Sequence, residues 1–192
     1  RQVKDCFEKL NRGIFAFNNG LDKALFKPIA TGYRKLPSPI RSGTGNAINN
    51  LSNLVTIPNN ILQGDINSAV NNSFRFVINT TLGVLGIFDV ASAIGLEKGT
   101  KEDYGQTFAS WGVGPGCYVV LPILGPSTVR DATGSALNLF GGDPWYNITV
   151  ENDTRYFKES DYYYSKMTSG VDFRAKNLES FSSLENNSID CL

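Results

Sequence analysis

The sequence contains no histidine, and this absence removes several classes of enzyme. A Ser-His-Asp triad, a Cys-His dyad and every metal site built on imidazole need that side chain. Paired carboxylates remain, and Glu102 with Asp103 is the obvious pair. Adjacent residues usually point apart, however, so this pair is a poor candidate for acid-base catalysis. We therefore expect no catalytic residue, no metal and no cofactor, and we do not expect an enzyme.

Excess charge of either sign is also missing, since 18 basic residues balance 18 acidic ones. A protein that binds nucleic acid normally carries a basic patch and a high isoelectric point. The sequence therefore predicts no nucleic-acid partner.

Long hydrophobic runs are absent as well. Residues 82–96 are apolar except for Asp89, but a helix that crosses a bilayer needs about 20 such residues. Two interpretations remain open: a buried core segment, which composition alone favours, or a segment that lies in a membrane without crossing it. No apolar signal region follows residue 1, so we expect a cytosolic chain or a mature fragment.

Cysteine is scarce, with only Cys6, Cys117 and Cys191. Their spacing fits no zinc pattern, and an odd number leaves at least one thiol unpaired. Cys6 and Cys191 can pair only if the two ends of the chain bring their Cα atoms within about 7 Å. The interpretation we favour is three free, partly buried thiols.

Apolar residues at steps of three and four predict a mainly α fold, in one domain over residues 1–192. The predicted helices cover 5–26, 28–36, 39–60, 65–81, 127–140 and 153–189. Asp65 and Ser127 are expected to cap two of them. Pro58 is expected to bend or end the third helix, and Gly170 to break the last one.

Residues 104–131 are rich in Gly and Pro and lie between helices. Gly and Pro hold a particular backbone path, and a solvated loop does not need the apolar residues found here, so we interpret the segment as a shaped wall or lip. A phosphate loop at 112–116 is rejected, because Pro115 lacks an N–H and no Lys-Ser/Thr pair follows. Arg41, Arg75 and Arg130 can each grip a phosphate or pair with a carboxylate, and the ion pair is favoured.

Collinear short blocks resemble the MlaA (VacJ) family of bacterial outer-membrane lipoproteins. They include Asn11-Arg12, Phe15, Phe17-Asn18, Pro28, Tyr33, Pro39, Arg41, Asn46, Asn50-Leu51, Asn59, Leu62-Gln63-Gly64, Arg75-Phe76, Asn79, Gly83, Gly86, Asp89, Gly105-Gln106-Thr107, Trp111-Gly112, Gly114, Gly116, Tyr118, Pro122, Gly125, Arg130-Asp131 and Gly134. The chain departs from the family pattern at four positions. Ala47 replaces a usual Phe, and Leu54, Cys6 and Cys117 each stand where Pro is usual. Near the end, residues 188–190 look like the start of a family motif that this chain truncates.

The resemblance implies a ring-like helical protein with a central amphipathic channel, set in the inner leaflet of a Gram-negative outer membrane. Such a protein removes phospholipid misplaced in the outer leaflet and passes it to a soluble periplasmic carrier (MlaC-like), in association with trimeric porins. Two alternatives are a structural lipoprotein that scaffolds porins and a lipid hydrolase. The hydrolase is disfavoured by the missing histidine and the missing Gly-x-Ser-x-Gly motif.

The resemblance also suggests roles for particular residues. The expected lipid path comprises Asn46, Asn49, Asn50, Asn53, Trp111, Gly112, Gly114 and Tyr118. The expected membrane-embedded residues are Leu82, Val84, Leu85, Ile87 and Phe88. Structural ion pairs are expected among Arg75, Asp89, Arg130 and Asp131. The balanced charge of the chain is expected to let anionic headgroups pass without being trapped.

Overall fold

The computed structural model describes residues 4–147 and 158–177, and most of them are helical. The helices are α1 Glu8–Leu21, α2 Lys27–Arg34, α3 Ser38–Leu62, α4 Ile66–Thr81, α5 Val90–Ala93, α6 Tyr104–Ser110, α7 Val129–Leu137, α8 Pro144–Tyr146 and α9 Glu159–Lys176. Two π-helical segments, Asp22–Phe26 and Asn138–Gly142, continue α1 and α7. Strands β1 Tyr118–Leu121 and β2 Gly125–Thr128 form an antiparallel hairpin. The prediction of a mainly α fold is confirmed.

Helices α3 and α4 form an antiparallel pair that is joined by a tight turn at 63–65. The turn ends at Asp65, whose carboxylate accepts a hydrogen bond from the Ser68 N–H at 3.0 Å, as predicted for a helix cap. Hydrogen bonds from Ser68 lower the pKa of Asp65. Helix α3 does not end at Pro58 but continues to Leu62.

Two asparagines of α1 complete the open edge of the hairpin. Asn11 accepts from the Val120 N–H (2.9 Å) and donates to the Tyr118 carbonyl (3.1 Å). Asn18 accepts from the Ile123 N–H (2.8 Å) and donates to the Leu121 carbonyl (2.9 Å). Seven residues are about two helical turns, so both side chains face β1 and pair its edge as a third strand would.

A disulfide joins Cys6 to Cys117, with Cα atoms 5.6 Å apart. Next to it, the Tyr118 N–H donates to the Lys4 carbonyl at 2.8 Å, because the start of the chain runs alongside β1. The expectation of free thiols is therefore wrong for Cys6 and Cys117, and Cys191 lies outside the described residues. The available clue was that both cysteines stand where the resembled family usually has Pro.

Helix α7 begins at a different cap from the one predicted. Ser127 lies in β2, and the Thr128 hydroxyl instead accepts from the Asp131 N–H at 3.2 Å. Helix α7 packs against α6 through glycine, since a Cβ on Gly134 would lie 2.4 Å from the Gly105 nitrogen.

The last described helix, α9, runs through Gly170 without a break and docks on the first third of the chain. The Arg174 guanidinium donates two hydrogen bonds to Asp22, both 2.7 Å long. The predicted helical residues 153–157 and 178–189, and the motif at 188–190, lie outside the described residues.

The interior of the fold is unusual because its larger buried side chains are mostly polar. The buried apolar residues are Ala30, Ala69, Ala91, Val120, Tyr162 and Ala175. The buried amide and hydroxyl residues are Asn11, Asn50, Asn53, Thr56, Asn59, Asn60, Asn72, Asn79 and Thr107. Most large apolar side chains are exposed instead, the reverse of a protein that folds in water.

Candidate functional site

Asparagines form the contact between α3 and α4. The Asn72 side-chain amide donates to Asn60 Oδ1 at 2.9 Å, with both residues buried. On α3, the carboxamide oxygen of Asn59 accepts from the Thr107 hydroxyl at 2.6 Å. Buried polar groups need such partners, and the described asparagines largely supply them to one another and to the backbone.

Beside this contact lies a polar cavity of about 120 Å³. Asn46, Asn49, Asn50 and Asn53 line one wall, since steps of three and four place them on one face of α3. The other walls are lined by Asn72, Arg75, Asn79, Asp89, Lys98, Gly99 and Lys101. The structure therefore brings the four predicted asparagines together around one polar space.

A second cavity, of about 330 Å³, adjoins the first. The two share Asn46, Asn49 and Lys98 as lining residues. The larger cavity extends towards α2 and α9, where the Tyr33 hydroxyl donates to Asp172 at 3.1 Å. Burial and the negative charge of Asp172 raise the pKa of Tyr33. Polar space therefore runs along α3 from the α2–α9 side to α4.

Asp89 binds three cationic or polar side chains at the edge of the smaller cavity. Its carboxylate accepts from Arg75 (2.9 Å), Lys98 (3.0 Å) and Asn79 (3.1 Å), and it caps α5 through Ser92. Partial burial raises its pKa, but hydrogen bonds from Lys98, Ser92 and Asn79 prevail and hold the pKa well below its usual range. The expected pairing of Arg75 with Asp89 is thus present.

Lys101 reaches the same cavity from the segment before α6. Its ammonium donates to the Asn49 carbonyl (2.7 Å) and to Asn53 Oδ1 (2.8 Å). The residue as a whole is exposed, yet the ammonium itself is enclosed by these partners. Burial, with the positive charges of Arg75 and Lys98, lowers the pKa of Lys101 to about 8.

The smaller cavity is not electrically neutral. Among its described lining residues, Arg75, Lys98 and Lys101 supply three positive charges against the one carboxylate of Asp89, a net charge of +2. The overall balance of 18 basic and 18 acidic residues therefore does not extend to this space. Whether the balanced charge of the chain lets anionic headgroups pass stays a prediction.

The Gly/Pro-rich part of the expected lipid path lies elsewhere. Trp111 is exposed, and its indole N–H donates to the Leu62 carbonyl at 3.0 Å, at the end of α3. Gly112 has a positive φ of 86° just after α6, and Gly114 follows it. Tyr118 is half-buried in β1. These four residues line neither polar cavity. Arg130 pairs with its neighbour Asp131 at 2.8 Å.

The apolar run 82–88 forms a turn on the surface. Its large side chains, Leu82, Val84, Leu85, Ile87 and Phe88, are all exposed. The interpretation of this stretch as buried core is therefore wrong, because the turn lays its backbone against α3, where the Asn46 amide donates to the Ile87 carbonyl at 3.1 Å, and directs these side chains outward.

The turn contains two residues with strained backbone conformations. Val84 and Leu85 have φ values of 52° and 57°, a region that β-branched and bulky residues rarely adopt and that costs on the order of 1–3 kcal/mol per residue. Hydrogen bonds from the Leu85 and Gly86 N–H groups to the carbonyls of Thr80 (3.0 Å) and Asn79 (2.8 Å) impose this path. A Cβ on Gly86 would lie 2.5 Å from the Asn50 Cβ, so the turn also sits directly against the cavity wall.

Helix α4 extends the apolar surface. Ile66, Val70, Phe74 and Val77 are exposed along its outer side. Within residues 4–147 and 158–177, no helix combines the length and the apolar character needed to span a bilayer.

Sequence reasoning missed Asn72, Lys98 and Lys101 as cavity residues. Asn72 had a usable signal, since residues 72, 75 and 79 share one face of α4. Lys98 and Lys101 had none, because they lie in an irregular polar segment without periodicity.

The family model for the MlaA lipoprotein matches residues 3–191. The chain belongs to the MlaA lipoprotein family. It is 36% identical over 140 residues to the Escherichia coli intermembrane phospholipid transport system lipoprotein MlaA, covering 71% of this chain and 56% of that protein. It is 40% identical over 144 residues to the uncharacterized protein RP093 of Rickettsia prowazekii, covering 74% and 57%. The chain thus spans little more than half the length of these MlaA relatives.

The fold agrees with this membership. A solved structure from work described as "Structural basis for maintenance of bacterial outer membrane lipid asymmetry" matches the chain with a TM-score of 0.78 and 31% identity. The match covers 95% of this chain and 89% of that one. The chain therefore shares its architecture with a protein solved in work on bacterial outer membrane lipid asymmetry.

Proposed function

We propose that this protein removes phospholipid from a membrane in which its apolar surface is embedded, and lets the polar headgroup pass along α3. The observation that carries this proposal is the inversion of the fold, with an asparagine-lined interior and an apolar exterior. A lipid environment favours this arrangement, because hydrocarbon is a poor solvent for amides and charges.

The exterior supports membrane contact without a spanning helix. Soluble proteins rarely expose contiguous apolar patches larger than a few hundred Å². Here the 82–88 turn and the outer side of α4 follow one another in the chain and are both exposed. Burying one Leu or Phe side chain in lipid is favourable by about 1.5–3 kcal/mol, so a few of them suffice for stable insertion in one leaflet.

The interior supports headgroup passage. Carboxamides both donate and accept hydrogen bonds, so they solvate a phosphate as well as an ammonium. Asparagines supply such groups to the smaller cavity, and two of them, Asn46 and Asn49, also line the larger one. Acyl chains would remain in the lipid outside this polar space, and the protein would make and break no bond.

We also infer a direction and partners for the transport. We infer transfer from the outer leaflet of the outer membrane to a soluble periplasmic carrier, beside a trimeric porin and driven by downstream partners. The printed name of the Escherichia coli relative supports intermembrane phospholipid transport. The Cys6–Cys117 disulfide supports an oxidising compartment such as the periplasm.

The test combines flotation with lipid transfer. The full chain should float with phospholipid liposomes on a density gradient at high salt, and it should move labelled phospholipid to acceptor vesicles. Phe88→Asp should reduce flotation about tenfold or more, because an aromatic ring that inserts into lipid is replaced by a charge. Ser135→Asp, which adds the same charge at an exposed position of α7 four residues after Asp131, is the matched control and should leave flotation intact.

The path is tested separately from membrane binding. Asn46→Asp combined with Asn49→Asp should leave flotation unchanged but alter the transfer rate, since both residues line both cavities. Unchanged transfer in this double variant contradicts the proposed path. Wild-type flotation without any transfer would favour a structural lipoprotein that scaffolds porins.

A further inference from the structure

The single carboxylate of the smaller cavity is already fully engaged. Asp89 Oδ1 accepts from Arg75, Asn79 and the Ser92 N–H, and Oδ2 accepts from Lys98 and the Ser92 hydroxyl. Its negative charge therefore serves to fix Arg75 and α5, and it does not compensate the remaining cation of the cavity.

Lys101 is that remaining cation. Its ammonium contacts the neutral oxygens of Asn49 and Asn53, and no carboxylate of residues 4–147 or 158–177 lies within ion-pair distance of it. An ammonium has three N–H groups, and two are used, so one is left to donate. Burial of the ammonium, together with the positive charges of Arg75 and Lys98, lowers the pKa of Lys101.

Two neighbouring residues that line the same cavity also have N–H groups left to donate. Because Asn53 Oδ1 accepts from Lys101, its Nδ2 group is the one that remains to donate. Lys98 spends one N–H on Asp89 and lines both cavities. Lys98, Lys101 and Asn53 thus converge on one space with spare donors and excess positive charge.

We propose that this space is a binding site for a phosphate group, held by Lys98, Lys101 and the Asn53 amide. The chemistry is that of a phosphate mono- or diester oxygen, which accepts charge-assisted hydrogen bonds. The phosphate comes either from a phospholipid headgroup, in which case the inference rests on the proposed transport function, or from free phosphate. Lys101 is the residue whose substitution tests the site, because no carboxylate of the described residues neutralises its charge.

Calorimetric titration of the full chain with two soluble probes tests the site. One probe is inorganic phosphate, and the other is glycerophosphoglycerol, the deacylated phosphodiester of a lipid headgroup. Ionic strength is held constant with chloride, so that general screening does not change. Lys101→Gln should weaken binding about tenfold or more, since it removes one charge-assisted bond. Lys101→Arg should retain binding.

Lys9→Gln provides the matched control. It removes the same charge from an exposed position on α1, outside both cavities, and should bind both probes as the wild type does. Thermal unfolding of each variant establishes that it is folded. Equal binding by wild type and Lys101→Gln, or no saturable binding of either probe, overturns the site. Binding of inorganic phosphate alone supports the site and overturns the headgroup as its source.

Lipid transfer by the same preparations separates this inference from the proposed function. A wild-type chain that transfers phospholipid but binds neither probe overturns the phosphate site and leaves transport standing. A chain that binds both probes in a Lys101-dependent way but transfers no lipid overturns transport and leaves the site standing.

Discussion

The two sides of helix α4 face opposite kinds of surroundings. On the inner side, Asn72 and Arg75 are 3% and 6% exposed and contact the polar interior. On the outer side, Val70, Phe74 and Val77 are 48%, 59% and 56% exposed. A helix in a protein that folds in water shows the reverse arrangement. The periodicity of apolar residues therefore identifies the two faces of a helix, but the solvent around the protein determines which face lies inside.

Removing a charge on the inner side of α4 should cause the largest loss of stability. Asp89→Asn leaves the buried Arg75 without its counterion, so the free energy of unfolding should fall by about 3 kcal/mol or more. Chemical denaturation in mild detergent measures this loss. Glu8→Gln breaks the exposed Glu8–Arg12 pair as a control and should cost less than about 1 kcal/mol. Similar losses in the two variants would show that the interior tolerates an unpaired charge.

The outer side should respond in membrane affinity and not in stability. Phe74→Asp removes a ring that contributes about 2 kcal/mol when buried in lipid, so vesicle partitioning should fall about tenfold or more. Unfolding in detergent should stay within about 0.5 kcal/mol of wild type, because the side chain is exposed. A large loss of stability with unchanged partitioning would mean that this side packs against protein.

The smallest effect concerns the pH dependence that Lys101 imposes. Its pKa is about 8 in the folded chain, below its ordinary value of 10.5. Between these values the unfolded chain holds a proton that the folded chain has released, so stability attributable to Lys101 rises with pH. Below pH 8 the cost of the enclosed charge is fully present. The wild type should therefore gain stability relative to Lys101→Gln as pH rises from 7 towards 10, and a flat difference contradicts the shift.

Local features of the sequence predicted the longer helices but not the short α5, α6 and α8. Asp65 was identifiable as a cap because it follows a glycine break and precedes an apolar period. The asparagines at 46, 49, 50 and 53 share a helical face by spacing alone, and the structure gathers them around one cavity. Propensity and period are properties of neighbouring residues, so they need no knowledge of the tertiary fold.

Long-range features escaped the sequence. Val119 and Val120 lie within a Gly/Pro-rich segment, and nothing local shows that they pair as a strand with β2 and with Asn11 of α1. The Cys6–Cys117 bond spans 111 residues, so no spacing pattern announces it. Composition also favoured a buried 82–96 segment, because hydrophobicity cannot distinguish a protein core from lipid as the environment of an apolar side chain.

The disulfide makes α1 through α6 a single covalent ring. Every peptide bond between residues 6 and 117 lies inside that ring. A protease that cuts the exposed segment 97–101 therefore opens the ring without separating its two parts. The nicked chain should migrate as one species on a gel without reductant and as two fragments after reduction. One cut in the segment that carries Lys98 and Lys101 thus leaves the two fragments covalently joined.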